Sequence, residues 1–429
     1  MGHMGLIQWG VLILSLYPIL GAFFWFWGAI MYRILNRDDQ SVKSIDEDYE
    51  PLITIMIPAH NEEIMIEHTL NYLLNDLNYL LNDLNYSNYE ILVMDDGSTD
   101  DTPKTLAEIQ TRYDNLRVIR IDDNKGKAHA FNVGMFFAKG EYILSNDADT
   151  LPEPDALKKY MGYFTHDSDI NTAAVTANMD VQNRTTILGK SQTVEFSSIV
   201  GIIKRSQSAI NNSMYAYSGA NTMYKKAALF EVGGFRQDRA TEDISIAWDQ
   251  HLKGTVPKFA PEIMFNMTVP EKIGELFRQR SRWAKGGTEV WLTNIMAFIR
   301  HPIKNKYQFT MFLDSTLSIL WSFFFVISTL VFIAIIGKLL IIGSYQHILM
   351  YLMFSCVMIV SESIAGGLQL LTALILDFNG AKMKYWIFAP IYTLIYWIIN
   401  PLTLVWTFPG AVKTILGRGS GTWVSPERK

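Results

Sequence analysis

Residues 53–62 read ITIMIPAHNE and residues 90–100 read EILVMDDGSTD. Each is a short, apolar, largely β-branched run that stops abruptly at polar residues. That is the pattern of a strand buried on both faces which delivers polar groups from its carboxyl end. LRVIRI at Leu116–Ile121 and YILS at Tyr142–Ser145 repeat the pattern, and stretches of helical periodicity separate the runs. Such alternation predicts an α/β domain, a mostly parallel sheet with helices on both faces. Ligands of these sheets lie outside the carboxyl ends of the strands. The polar residues fall there: Pro58-Ala59-His60-Asn61-Glu62, then Asp95-Asp96-Gly97-Ser98-Thr99-Asp100, then Asp147-Ala148-Asp149.

Outward from this domain the chain turns apolar. Of its 429 residues 49% are hydrophobic, and the apolar residues cluster toward the two ends. Gly5–Tyr32 carries no charge and is longer than the ~20 residues that span a bilayer, with Arg33, Arg37 and Lys43 directly after it. The positive-inside rule then predicts that the α/β domain is cytoplasmic, with the N-terminus outside. Met1–Met4 reads as a cloning scar. The organisation expected is a transmembrane helix at 5–32, a linker at 33–50, the α/β domain at 51–270 and interfacial amphipathic helices at 271–308. A transmembrane α-helical bundle at 309–412 and a cytoplasmic tail at 413–429 follow.

In that bundle Ser315–Gly337 is long enough to span, and Leu339–Leu376, interrupted by Glu362, holds one helix or two. Tyr385–Val412 is broken by Pro390, Pro401 and Pro409. The basic C-terminus at Lys413, Arg418, Arg428 and Lys429 calls for an even number of crossings after the α/β domain, about five in total. Glu362 is a candidate for lining a polar route, since intramembrane acids face protein or water. The LNYLLND repeat at 70–83 lengthens a helix by ~10 Å without turning its apolar face and reads as a local duplication.

A net charge of −5 speaks against nucleic acid as a partner. The single cysteine, Cys356, excludes an intramolecular disulfide and a cysteine-based zinc site, and reads as a small buried apolar residue.

Carboxylates on adjacent strand ends repel unless a cation offsets them, and hard oxygen donors suit magnesium or manganese held with a diphosphate. Taken singly, each acidic motif is equally readable as a loop start or helix cap. Asn124-Lys125-Gly126-Lys127-Ala128 opens a helix and suits phosphate oxygens. Thr241-Glu242-Asp243 offers a carboxylate apart from the metal pair, placed to take a proton from an attacking hydroxyl. Gln279-Arg280-Ser281-Arg282-Trp283 joins an aromatic face to an amide and guanidinium groups, a mixture suited to a sugar.

The order PAHNE, DDGSTD, NKGKA, DAD, TED, QRSRW resembles the processive family 2 glycosyltransferases, which include cellulose, chitin and hyaluronan synthases. ILGKSQTVEFSSIVGIIKRSQS, YSGANTMYKKAAL, VGGFRQDRATEDISIAWDQHLKG and RQRSRWAKGGTEV resemble the bacterial poly-β-1,6-N-acetylglucosamine synthases in particular. The similarity runs to the closing TWVSPER; His60 and the duplicated heptad depart from it.

The resemblance implies a glycosyltransferase A fold, a UDP-sugar donor (UDP-GlcNAc), inversion at the anomeric carbon, Mg2+ or Mn2+ as cofactor, and a growing polysaccharide in a bacterial plasma membrane. A small membrane-protein subunit often accompanies such enzymes. Carried over by position, Pro58, Ala59, Asn61, Glu62 and Asp96 would hold the nucleotide. Lys127 and Asp147 would approach the donor, and Asp149, with Asp147, would ligate the metal. Asp243 would be the catalytic base, and Glu242, Gln279, Arg282 and Trp283 would serve the acceptor end and the diphosphate. Trp423 would close over the nucleotide. A hyaluronan-, chitin- or cellulose-type synthase, a non-processive transferase acting on a lipid carrier, and a transporter with a non-catalytic sugar-binding domain are the alternatives.

Overall fold

The computed structural model describes residues 6–36, 50–74, 84–165 and 171–418. Trp423, the residues of the scar, most of the linker and most of the repeated heptad lie outside the described residues.

A long helix, α1 (Leu6–Leu35), leads into the α/β domain. There β1 (Ile53–Ala59), α2 (Ile66–Leu73), β2 (Tyr89–Asp96), α3 (Thr102–Gln110), β3 (Leu116–Ile121), α4 (Lys127–Phe137) and β4 (Tyr142–Asn146) alternate. Then come β5 (Thr150–Pro152), α5 (Ala156–Thr165), β6 (Thr172–Val181), α6 (Ile187–Phe196), α7 (Ile203–Asn211), β7 (Asn221–Lys225), α8 (Lys226–Glu231), α9 (Glu242–Leu252) and β8 (Val256–Met267). A π-helical turn, Ser197–Ile202, joins α6 to α7.

The strands form one eight-stranded sheet in the order β3-β2-β1-β4-β7-β6-β8-β5. The first half is parallel as expected. In the second half β7 runs antiparallel to both β4 and β6, and β5 antiparallel to β8, while β6 and β8 are parallel.

Alternation along the central strands feeds two cores. Ile53, Ile55, Ile57, Ile91 and Val93 pack with Leu106 and Ile109 on one face. Met56, Leu92 and Met94 pack with Ala130, Phe131 and Met135 on the other. With side chains buried on both faces, β1 and β2 are apolar up to their carboxyl ends apart from Thr54 and Glu90, whose side chains bond each other at 2.8 Å.

Past the domain, α10 (Ile273–Arg300) is amphipathic, and α11 (Lys306–Ile342), α12 (Tyr345–Leu376) and α13 (Ala389–Ile415) are apolar. Among the described residues four helices are long and apolar enough to cross a membrane, at Trp9–Leu35, Gln308–Ile342, Tyr345–Leu376 and Met383–Ile415. About five were expected. The difference arises because Tyr345–Leu376 is one uninterrupted helix and because α13 absorbs its prolines, with Pro390 in its first turn and Pro401 and Pro409 inside.

The connection between α12 and α13 is fastened to the catalytic domain. Buried Asp377 accepts from Asn178 Nδ2 at 2.6 Å, Ser197 Oγ at 2.9 Å and Lys382 Nζ at 2.8 Å. The α11–α12 pair therefore leaves the domain and returns to it. Cys356 corrects the expectation made for it: it is exposed on the outer face of α12, where apolar residues surround it in sequence. On a helix of this kind the apolar surface faces outward rather than into a core. Glu362 is half-buried on the same helix.

Candidate active site

The register of β1 against β2 places Pro58 beside Met94 and Ala59 beside Asp95, so the PAHNE and DDGSTD turns emerge side by side. They interlock. Asn61, in the left-handed region at φ 56°, takes a hydrogen bond on Oδ1 from Thr99 N–H at 2.8 Å and donates its own N–H to Ser98 Oγ at 3.0 Å. Glu62 N–H donates to Thr102 Oγ1 at 2.9 Å. His60 Nδ1 meets the Asp96 carbonyl at 2.8 Å. Arg120 pairs with Asp95, which also accepts from Ser98 N–H at 3.1 Å.

Asp96 is buried, and its carboxylate accepts from Gly126 N–H at 2.7 Å and Lys125 N–H at 3.1 Å. The sequence suggested these amides for phosphate oxygens; the Asp96 carboxylate takes them instead. Gly126 sits at φ 90°, a conformation that glycine adopts without strain. It turns the chain so that Lys127, the first residue of α4, points into the cleft.

Lys127 is the hub. Its ammonium lies 2.6 Å from Asp147 Oδ1 and 3.1 Å from Glu242 Oε1, with 14% of the side chain exposed. One cation thus joins the DAD turn at the end of β4 to the TED turn at the start of α9. Burial alone would lower the lysine's pKa, but the charges of Asp147 and Glu242 outweigh it and hold the ammonium above its usual range. The DAD turn is held by Asn146 Nδ2, which donates to the carbonyls of Asp147 at 2.8 Å and Thr150 at 3.0 Å. Asp149 is buried beside it.

Because β7 runs antiparallel to β4, Asn221 pairs with Asn146 and the residues just before β7 abut the DAD turn. Gly219 lies there. A Cβ at this position would meet Glu242 Oε1 at 2.7 Å and Lys127 Nζ at 2.8 Å, so a side chain would push into the ion pair.

Asp243 keeps part of its surface open to the cleft. Burial, and then the neighbouring Glu242 charge, push its pKa up to about 6 against the opposing pull of Lys127 and Arg282. A carboxylate with these surroundings is ionised at neutral pH and basic enough to accept a proton. Behind it on α7, Lys204 is buried, with its ammonium 3.3 Å from Thr176 Oγ1; burial lowers its pKa to about 8, partly offset by Asp243.

The long helix α10 closes the cleft. Gln279 and Trp283 lie half-buried on it, with Arg282 near enough to act on both Glu242 and Asp243. Gly286 and Gly287 let α10 approach closely: a Cβ would fall 2.2 Å from Thr241 Oγ1 and 2.2 Å from Tyr215 Oη, respectively. Fully buried Glu289 accepts from Ala240 N–H at 2.9 Å, fixing the turn that carries Glu242 and Asp243.

The structure therefore brings Asp96, Lys127, Asp147, Glu242, Asp243 and Arg282 into one contiguous set. Reading the sequence residue by residue did not single out Lys204, Gly219, Gly286, Gly287 or Glu289. The paired glycines inside an otherwise helical stretch were the one available signal.

The family model for glycosyl transferase family 2 matches residues 54–233. The chain is 33% identical over 421 residues to the poly-β-1,6-N-acetyl-D-glucosamine synthase of Staphylococcus epidermidis, covering 97% of each protein. It is 33% identical to the synthase of the same name from Staphylococcus aureus strain COL, over 97% of this chain and 96% of that one. Among solved structures, a mannosyltransferase of Pyrobaculum calidifontis in complex with GDP-Man and Mn2+ superposes with a TM-score of 0.55 at 19% identity, covering 84% of this chain and 98% of that chain. That likeness speaks for the fold, a glycosyltransferase A arrangement. Sequence similarity that extends through the apolar helices as well as the catalytic domain places the whole molecule: the chain belongs to the family 2 glycosyltransferases, in the group that contains the staphylococcal poly-β-1,6-N-acetyl-D-glucosamine synthases.

Proposed function

We propose that the chain polymerises N-acetylglucosamine from UDP-GlcNAc into a β-1,6-linked polysaccharide, processively and with inversion, and passes it across a bacterial plasma membrane from a cytoplasmic catalytic domain. The observation that carries this reading is the Lys127 bridge. It draws Asp147 and Glu242 together within 2.6 and 3.1 Å of one ammonium and so sets Asp243 beside the donor turn.

In this mechanism the acceptor hydroxyl gives its proton to the Asp243 carboxylate as its oxygen attacks the anomeric carbon. The bond from that carbon to the UDP oxygen breaks on the opposite side, and its electron pair leaves with the diphosphate. Arg282, together with Lys127, offsets the charge that develops there. Gln279 and Trp283 hold the acceptor sugar, amide to hydroxyl and indole to ring face. Pro58, Ala59, Asn61 and Glu62 form the wall for the nucleotide, with Asp96 setting the loop that carries Lys127.

Among the described residues no group of three or more His, Cys, Asp or Glu is arranged for a metal. Magnesium and manganese sites in nucleotide enzymes are commonly built from one or two carboxylates completed by phosphate oxygens. Asp147 and Asp149 fit that donor set. Lys127 takes one Asp147 oxygen, which gives Asp149 the larger share of the ligand role. When bound, Mg2+ or Mn2+ would supply positive charge to the leaving diphosphate.

Membranes bearing the protein, incubated with labelled UDP-GlcNAc and Mg2+ or Mn2+, should yield a polymer cut by a β-1,6-N-acetylglucosaminidase and resistant to chitinase and hyaluronidase. Label in a chitinase-sensitive product would overturn the linkage. Label confined to lipid-extractable single-sugar adducts would overturn polymerisation.

A pH profile follows from Asp243. With its pKa at about 6, the base is lost by protonation as pH falls, so the rate should drop through an acid limb centred near that value. The charges facing Asp243 are Glu242 on its own helix, Lys127 on α4, Arg282 on α10 and Lys204 on α7. Lys204→Met removes a cation that favours the ionised base, so the limb should move to higher pH. A limb that stays in place would argue that Lys204 does not act on Asp243.

A further inference from the structure

The first arginine of QRSRW is used differently from the second. Arg280 is 4% exposed and donates from Nη2 to Glu195 Oε2 at 2.6 Å, and Glu195 is itself 2% exposed. From Nη1 it donates to Gln279 Oε1 at 3.1 Å. Its guanidinium carbon lies 4.1 Å from the centroid of the Trp283 ring and 5.5 Å from that of Tyr396 on α13. The Arg280 guanidinium therefore lies over one face of the indole and touches the Gln279 amide, while its charge is anchored 85 residues away in sequence.

A buried ion pair of this kind is a poor source of net stability, because desolvation offsets most of the Coulombic gain. What it does supply is a fixed orientation. Glu195 is well anchored for that task. It is the next-to-last residue of α6, before the π-helical turn, where Ser197 Oγ donates to Asp377 at 2.9 Å and Ser198 Oγ accepts from Gln369 Nε2 of α12 at 3.1 Å. Burial raises the Glu195 pKa, and Arg280 and Tyr396 oppose that rise.

We propose that Glu195 and Arg280 are positioning residues for the acceptor: the buried pair holds the guanidinium flat on one face of Trp283 and orients Gln279, so that a sugar ring stacks only on the opposite face of the indole. This rests on the reading of Trp283 and Gln279 as the acceptor platform. It adds that the platform is set from α6 and shares its arginine with the membrane helix α13. Arginine is required because its plane stacks on an aromatic ring; a lysine ammonium keeps the charge and loses the plane.

Arg280→Lys and Glu195→Gln, purified in detergent or nanodiscs, are compared with wild type and with Trp283→Ala. UDP binding is followed by titration, kcat and KM for UDP-GlcNAc by UDP release, and product length by gel filtration. The expected result for both positioning variants is UDP affinity and donor KM within about twofold of wild type. Polymerisation should fall on the order of tenfold to a hundredfold, the scale of an ångström-sized misplacement, and chains should be shorter. Wild-type rate and chain length in Arg280→Lys would overturn the proposal. So would a parallel loss of UDP binding and polymerisation in both variants, which marks a merely structural pair. If Glu195→Gln does not accumulate, Glu195→Asp, which keeps the charge and shortens the reach, is expected to show the same split. Normal polymer from Trp283→Ala would instead remove the acceptor reading itself, whereas a defective Trp283→Ala beside a normal Arg280→Lys would remove only the positioning role.

Discussion

Asp243→Asn should reduce polymer synthesis by at least about 10²-fold, the lower end of what a general base contributes, while UDP affinity stays near the wild-type value. The substitution keeps size and shape, and an amide oxygen still accepts from Ile244 N–H, which the carboxylate does at 2.9 Å. What it loses is the ability to take a proton from the acceptor hydroxyl. The donor side is untouched: the Asp96 contacts to Lys125 and Gly126 and the Lys127–Asp147 contact do not involve this side chain. Folding should not suffer either. Asp243 and Glu242 are like charges on adjacent residues, and the Glu242 charge pushes Asp243 toward the protonated form. Neutralising one relieves that repulsion. Incorporation of labelled sugar and a UDP titration on the same preparation check the split. Loss of both together would mean that Asp243 belongs to the nucleotide site and is not the base.

The catalytic half of this arrangement was legible because it is local. β2 and β4 are largely apolar runs that stop at acids and β1 is one that stops at PAHNE, and a parallel sheet lines such ends up whatever else the chain does. Asp96 and Asp147 stand out from that pattern, whereas Asp243, at the start of α9, was named from the TED motif and the order of motifs; Lys127 connects the groups around them. The other half of the sheet was not legible. β8, with Pro257 and Pro261, pairs with β6 across two register shifts, and nothing in VPKFAPEIMFNM announces a strand. The three close-contact glycines depend on what lies opposite: Gly219 on Lys127 and Glu242, Gly286 on Thr241, Gly287 on Tyr215. Glu195 and Lys204 stand on segments with no chemical motif of their own, and their burial follows from neighbours far along the chain. Cys356 was misjudged for a related reason, because an apolar neighbourhood in sequence was taken to mean a protein interior.

Lys127→Met should be nearly as damaging at neutral pH, but with a different signature. The side chain keeps its length and loses the one cation that Asp147 and Glu242 share at 2.6 and 3.1 Å. Breaking a buried pair from one side costs roughly 3–5 kcal/mol when the remaining charge cannot reach water. Here Glu242 is buried and Asp147 is about one-third exposed, so the cost falls mainly on the glutamate. Lys127 also opposes the rise in the Asp243 pKa, so its removal lets the base titrate above the value of about 6 that it has with the lysine in place. The acid limb of the rate should therefore shift to higher pH. Activity lost at pH 7, on the order of 10²-fold from the combined loss of ionised base and of leaving-group stabilisation, should recover in part toward pH 9. Asp243→Asn can show no such recovery, having no proton to lose. Lys127→Arg keeps the charge and should restore the position of the limb while remaining slow, because its planar fork is too large for the gap beside Gly219. Rate profiles of the three variants between pH 5.5 and 9 separate these effects. A limb in Lys127→Met that coincides with wild type would mean that the lysine binds the donor without setting the charge of the base.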